Sequence, residues 1–275
     1  MAAIGLRGRA VERIWGRRDL PPPFEQLADG DRAIGEIWFE PPHERSELLV
    51  KYLFTSERLS IQVHPGAEQA KLSGLDCCKD EAWLILEADP GATIGLGLTQ
   101  TVGPETLRAA AISGEIEQLL DWRPVERGEL LYSPAGTVHA IGAGLSLIEI
   151  QQNCDVTYRL YDYGRPRELQ LDEALSAARP EPWSPSAAPR EAATGRIVHL
   201  EGGHFVIERW TGARTVAIDE GVTLIPVCDS GTLDGSPLRA GTVWMTDGSA
   251  RLDLAPDADL LVAYPGSEAR AFPGP

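Results

Sequence analysis

Residues 128–141 read GELLYSPAGTVHAI: Gly128, five residues, Pro134, one residue, Gly136, two residues, His139. A short apolar run feeds a turn shaped by proline, which presets its own φ, and by glycine, which accepts backbone conformations closed to other residues. His139 then stands at the start of the following strand, aimed inward. A strand, a tight Pro/Gly turn and a second strand opening on a histidine are the writing of an all-β domain with something to hold in its interior.

The neighbouring stretches agree. LSIQVHP, residues 59–65, alternates so that Ser60, Gln62 and His64 share one strand face while Leu59, Ile61 and Val63 share the other. GEIWFEP (35–41), SELLVKYLFT (46–55) and EAWLILEA (81–88) are further short strands bounded by turn residues. After the histidine, Leu145, Leu147, Glu149 and Gln151 fall on one face and Ser146, Ile148, Ile150 and Gln152 on the other. Both faces are partly apolar, as in a closed or sandwiched sheet. Between these strands, GPETLRAAAISGEIEQLLD (103–121) changes to helix formers, with Pro104 opening it and Gly114 dividing it into two short helices. LDEALSAAR (171–179) reads as one further helix.

Composition bounds the function. The chain has 275 residues, 43% of them hydrophobic, and a formal net charge of −16, which excludes the basic face that nucleic acid or an anionic membrane requires. No apolar run approaches the roughly 18 residues of a membrane span, and MAAIGLRGRAVERIWGRRDL lacks the uninterrupted apolar segment of a secretory signal. A cytoplasmic protein with a small-molecule partner is expected. Cys77, Cys78, Cys154 and Cys228 show neither the number nor the spacing of a disulfide framework and are expected as reduced thiols.

The spacing of Gly128, Pro134, Gly136 and His139 resembles the second sequence motif of the cupin superfamily, double-sheet β-barrels whose cavities hold a metal on histidines. Ala143 stands where an asparagine often follows that histidine. Four stretches, LFTSERLSIQVHP (53–65), KDEAWLILEA (79–88), SPAGTVHAIGAGLSLIEIQQN (133–153) and DVTYRLYDYGR (155–165), together resemble the type I mannose-6-phosphate isomerases in their short bacterial form, in the same order and spacing. The resemblance is strong over residues 48–165 and extends to Trp15-Gly16, where Arg17 replaces a second glycine usual in the family.

What the resemblance implies is an all-β dominated cupin, a double-stranded β-helix or jelly-roll barrel, with a small helical insertion and a second small β module. A metal-binding catalytic domain is expected over 1–180 with its insertion near 103–121, then a Pro/Ala/Ser-rich linker over 181–195 and a cupin-like module without a metal site over 196–275. One Zn²⁺ per chain is implied on Gln62, His64, Glu81 and His139, a mixed nitrogen and oxygen set that suits zinc. Asp80 is the rival of Glu81. Adjacent strand residues point to opposite faces, so one of the two can enter the cavity, and the resemblance favours Glu81.

Lys79 matches a family lysine that reaches the substrate, as a base if burial and the metal depress its pKa and otherwise as a cation. Arg159 matches an arginine at the mouth of the cleft with a role in catalysis or phosphate contact, unless it pairs with Asp155 or Asp162. Lys51 occupies another commonly basic position, and Arg165 and Arg167 are expected in solvent. The implied reaction interconverts mannose 6-phosphate and fructose 6-phosphate through an enediol(ate), in a monomer or homodimer. Alternatives are a cupin acting on another sugar phosphate, a metal-dependent cupin oxygenase, and a non-catalytic sugar-phosphate-binding cupin.

Overall fold

The short runs between residues 8 and 161 fold into two antiparallel sheets laid face to face, in a computed structural model that describes residues 2–28, 30–42, 46–75, 77–185 and 187–272. The first sheet orders Gly8–Arg17, Ile34–Phe39, Leu48–Thr55, Leu145–Gln152, Glu81–Ala88 and Leu130–Ser133. The second orders Tyr158–Tyr161, Ile61–Val63, His139–Ile141, Thr93–Leu98 and Leu120–Pro124. Leu53, Trp83, Ile85, Leu145 and Leu147 of the first meet Ile94, Leu96 and Ile141 of the second in one buried cluster. At about 1.5–3 kcal/mol for each large apolar side chain removed from water, this layer holds the sheets together.

Helices cover the outer face of the second sheet. Pro104–Ser113, Ile116–Leu119 and Leu171–Ala177 pack Leu107, Ala111, Ile116 and Ala174 onto Ile61, Val63, Val138 and Leu160. Pro104 starts the first of them and Gly114, at φ 85°, ends it, as the sequence indicates. The outer face of the first sheet, with Ile37, Tyr52, Ile148 and Ile150, packs on Phe205, Ile207, Ile225 and Leu261 of a seven-stranded sheet built largely by the later part of the chain. That sheet also takes in Ala3–Gly5, paired with Trp244–Thr246, and Arg190–Ala193, a strand inside the stretch expected to be a linker. A four-stranded sheet closes its far side over Trp210, Leu224 and Val262. The all-β architecture with a small helical insertion and a second β part is thus the observed one.

The expectation of reduced thiols needs correction. Cys77 and Cys154 form a disulfide, with Cα atoms 5.7 Å apart, although they stand 77 positions apart in sequence. They meet because Glu81 lies opposite Gln151 in the first sheet, so the chain entering one strand runs beside the chain leaving the other. Cys78 and Cys228 are free. No helix among the described residues is long and apolar enough to cross a membrane.

Candidate metal centre

The sheet registers assemble the site row by row. In the second sheet His139 lies opposite Gln62 and Gln62 opposite Arg159, so three strands present these side chains side by side. In the first sheet Trp38, Lys51, Glu149 and Trp83 form a cross-strand row, and Glu81, two residues before Trp83, shares their face.

His64, Glu81 and His139, all buried, bring their ligating atoms within 4.8 Å of one another. His64 Nδ1 lies 2.7 Å from the Val156 carbonyl oxygen and His139 Nδ1 2.9 Å from that of Thr137. A carbonyl can only accept, so both protons sit on Nδ1 and both Nε2 atoms offer a lone pair. Those Nε2 atoms stand 3.2 Å and 3.4 Å from the two Glu81 oxygens. His64 Nε2 and Glu81 Oε2 are buried without a hydrogen-bond partner. A buried orphan acceptor costs about 1–3 kcal/mol, which a shared cation would relieve.

Gln62 completes the group. Its Oε1 accepts from Ser60 Oγ at 3.0 Å while its Nε2 faces His139 Nε2 at 3.3 Å. Turning the amide end for end puts the oxygen on the histidine side, and the Ser60 hydroxyl then accepts where it had donated. Burial pushes the His139 pKa down to about 4 and that of His64 below its ordinary value. Burial alone would raise Glu81, but His64 and Lys79 hold it well below the usual carboxylate range. Neutral imidazoles and an ionised carboxylate are the protonation states that metal ligands need. Asp80 faces the other way, accepting from Tyr132 OH, the Ala135 N–H and His204.

Above this group opens a cavity of about 530 Å³ lined by Lys51, Lys79, Glu149 and Arg159 among others. Lys79 Nζ is 2.7 Å from Glu81 Oε1. Burial would lower its pKa, yet Glu81 and Glu149 outweigh burial and hold it raised, so the side chains alone keep Lys79 an ammonium. Glu149 accepts from Trp83 Nε1 at 3.0 Å and lies 3.6 Å from Lys51 Nζ. Burial first, then the charge of Glu81, pushes its pKa up to about 7.

Arg159 is the spare cation of the cleft. Asp162 is taken by Arg165 and Arg167, Asp155 by Lys51, and the neighbouring Arg13 pairs with Glu36. Arg159 Nε is buried with no hydrogen-bond partner, and among the described residues its guanidinium makes no ion pair. Arg165 and Arg167, expected in solvent, are instead partly buried by their bonds to Asp162, and Arg167 lines the cleft. Sequence reading missed Glu149, Glu36 and Arg13. For Glu149 a signal existed: a carboxylate on the face shared by Leu145 and Leu147.

No protein-family model matches the chain. It is 38% identical over 156 residues to mannose-6-phosphate isomerase ManA of Bacillus subtilis (strain 168), covering 52% of this chain and 49% of that one. It is 31% identical over 182 residues to the mannose-6-phosphate isomerase of Streptococcus mutans serotype c (strain ATCC 700610 / UA159), covering 63% and 57%. In these two the match spans about half the relative's length. YvyI of Bacillus subtilis (strain 168), provisionally named a mannose-6-phosphate isomerase, is 32% identical over 255 residues, 83% of this chain and 79% of that one. The crystal structure of the mannose 6-phosphate isomerase from Bacillus subtilis superposes with a TM-score of 0.81 at 26% identity, covering 96% of this chain and 100% of that one. With four-fifths of a relative aligned at this identity over the strands that carry the site, the chain belongs to the mannose-6-phosphate isomerase family.

Proposed function

We propose that the chain is a zinc-dependent aldose–ketose isomerase, interconverting mannose 6-phosphate and fructose 6-phosphate by proton transfer through an enediol(ate). One observation carries the reading: a buried His64, Glu81 and His139 donor group lies at a single cleft with Arg159, which makes no ion pair among the described residues, and with Glu149, held between Trp83 and Lys51. Gln62, His64, Glu81 and His139 would hold one ion per chain, and the orphaned His64 Nε2 and Glu81 Oε2 with this nitrogen and oxygen donor set fit Zn²⁺. When bound there, Zn²⁺ supplies Lewis acidity for the oxygens of a sugar carbonyl and its neighbouring hydroxyl.

Moving the proton between C2 and C1 falls to the side chains. Glu149, with its pKa near 7, is ionised enough at neutral pH to take a carbon-bound proton and acidic enough to return it to the adjacent carbon. Lys79 serves as a cation rather than a base, favouring negative charge as it develops on the sugar oxygens. Arg159 seats the phosphate, for which its planar fork is well shaped and its lack of a carboxylate partner leaves it free. In a chain of net charge −16 an anionic sugar must be captured by such a local cation. The names of the relatives support the substrate.

The test is a coupled assay for fructose 6-phosphate formed from mannose 6-phosphate, before and after chelation, with metal content read on the same sample. Turnover that vanishes with the chelator and returns with Zn²⁺ is the expected result. Bound zinc without turnover would reject the substrate assignment and redirect the search to other sugar phosphates.

A further inference from the structure

A cluster outside the cleft has no part in this chemistry. Residues 77–80 lead into the strand Glu81–Ala88, and the contacts of this stretch alternate: Lys79 and Glu81 line the cleft, whereas Cys78 and Asp80 meet His204 from the later part of the chain. His204 lies in the turn before Phe205–Thr211. Its Nδ1 is 2.9 Å from Asp80 Oδ2, and its Nε2 is 3.9 Å from Cys78 Sγ.

A carboxylate there can only accept, so Asp80 holds the His204 proton on Nδ1 and leaves the Nε2 lone pair facing the thiol. Asp80 is itself fixed, since Tyr132 OH and the Ala135 N–H both donate to it. The thiol is partly buried and outside the disulfide, His204 beside it is 50% exposed, and a small reagent can reach the pair from the His204 side. Three residue types in nucleophile, base and orienting roles, drawn from two separate parts of the chain, make this more than a lone cysteine.

We propose that Cys78, His204 and Asp80 form a thiol–imidazole–carboxylate triad that makes Cys78 a covalent modification site for disulfides and other soft electrophiles. The Cys78 S–H, which donates to Gln152 Oε1 at 3.4 Å, turns to His204 Nε2 and passes its proton there, and Asp80 holds the resulting imidazolium. The thiolate attacks one sulfur of an incoming disulfide. That S–S bond breaks, a new one forms at Cys78 Sγ, and the other sulfur leaves as a thiolate, so one disulfide replaces another without an added oxidant. An adduct at Sγ crowds Gln152 Oε1, which sits 3.4 Å from the sulfur and also accepts from the Asp80 N–H at 3.0 Å.

The test is independent of isomerase activity. The intact chain, kept free of reductant, is treated briefly with iodoacetamide, and peptides are quantified by mass spectrometry. In the unaltered protein Cys78 is expected to label about tenfold faster than Cys228, the other free thiol; His204→Gln should slow Cys78 by about tenfold and leave Cys228 as it was. Cys78 labelling no faster than Cys228 overturns the proposal, and so does a Cys78 rate that His204→Gln leaves unchanged. The comparison of two thiols in the unaltered chain decides the matter even if the variant does not fold.

Discussion

Glu149 shows how a side chain acquires a property from neighbours that are distant in sequence. Lys51 and Trp83 stand opposite it on the two flanking strands, and burial between them, followed by the charge of Glu81, raises the Glu149 pKa towards neutrality. Glu149→Gln keeps the shape and the bond from Trp83 but cannot take a proton, so kcat should fall by about two orders of magnitude with zinc content unchanged. A kcat within a few-fold of the parent would remove Glu149 from the proton transfer. Arg159→Ala should lower kcat by about tenfold or more, again with zinc retained, since the cation lost makes no ion pair among the described residues. Unchanged turnover there would take Arg159 out of the mechanism. Gln62, His64 and His139 stand out in the sequence because strand period and a Pro/Gly turn are local signals, whereas the choice of Glu81 over Asp80 rests on the family resemblance. For Glu149 the sequence shows only a carboxylate on a strand face shared with Leu145 and Leu147; its role depends on register with two other strands, and register is invisible along one chain.

At the scale of elements, the turn at Pro134 to Gly136 is the joint on which the site is set. Gly136 has φ 87°, its N–H donates to the His64 carbonyl at 2.9 Å, and the Ala135 N–H is fixed to Asp80. One turn therefore links the backbone of a histidine, the neighbour of Glu81 and the approach to His139. A Cβ at Gly136 would lie 2.9 Å from Arg179 Nε and 3.2 Å from the Ala177 oxygen. Gly136→Ala should thus cost about 1–3 kcal/mol from the left-handed backbone. That corresponds to a Tm lower by roughly 2–10 °C. Zinc affinity should weaken with it. A variant that melts and binds zinc like the parent would show that the turn is not what positions His139. This turn and the insertion from 103 to 121 can be read ahead because proline and glycine mark them. The strand Gly8–Arg17 cannot, since only Trp15 and Gly16 of its residues are buried and it bulges twice against its partner, leaving no alternating apolar pattern to find.

Across the whole molecule, a single apolar cluster joins the two β parts, which predicts that they unfold as one cooperative unit. Ile207, fully buried in the later sheet, packs in the same cluster as Ile37, Tyr52 and Ile150 behind the metal-site sheet. Ala3–Gly5 adds to this union by leaving the early part of the chain to pair with Trp244–Thr246, a crossing no local pattern announces. Ile207→Ala removes about 2–5 kcal/mol of packing far from any ligand. If the union is real, the midpoint for loss of sheet signal in circular dichroism and the midpoint for release of zinc to a chromogenic chelator should fall together. Zinc bound at the proposed centre would stabilise the native state by RT ln(1 + [Zn]/Kd), a quantity set at the site, so the gain in Tm on adding zinc should be nearly the same in parent and variant. A variant whose sheet signal melts earlier while zinc release keeps the parent's midpoint would mean that the halves unfold separately. The site's stability would then belong to the two facing sheets alone, and the later part of the chain would have to be explained by something other than support.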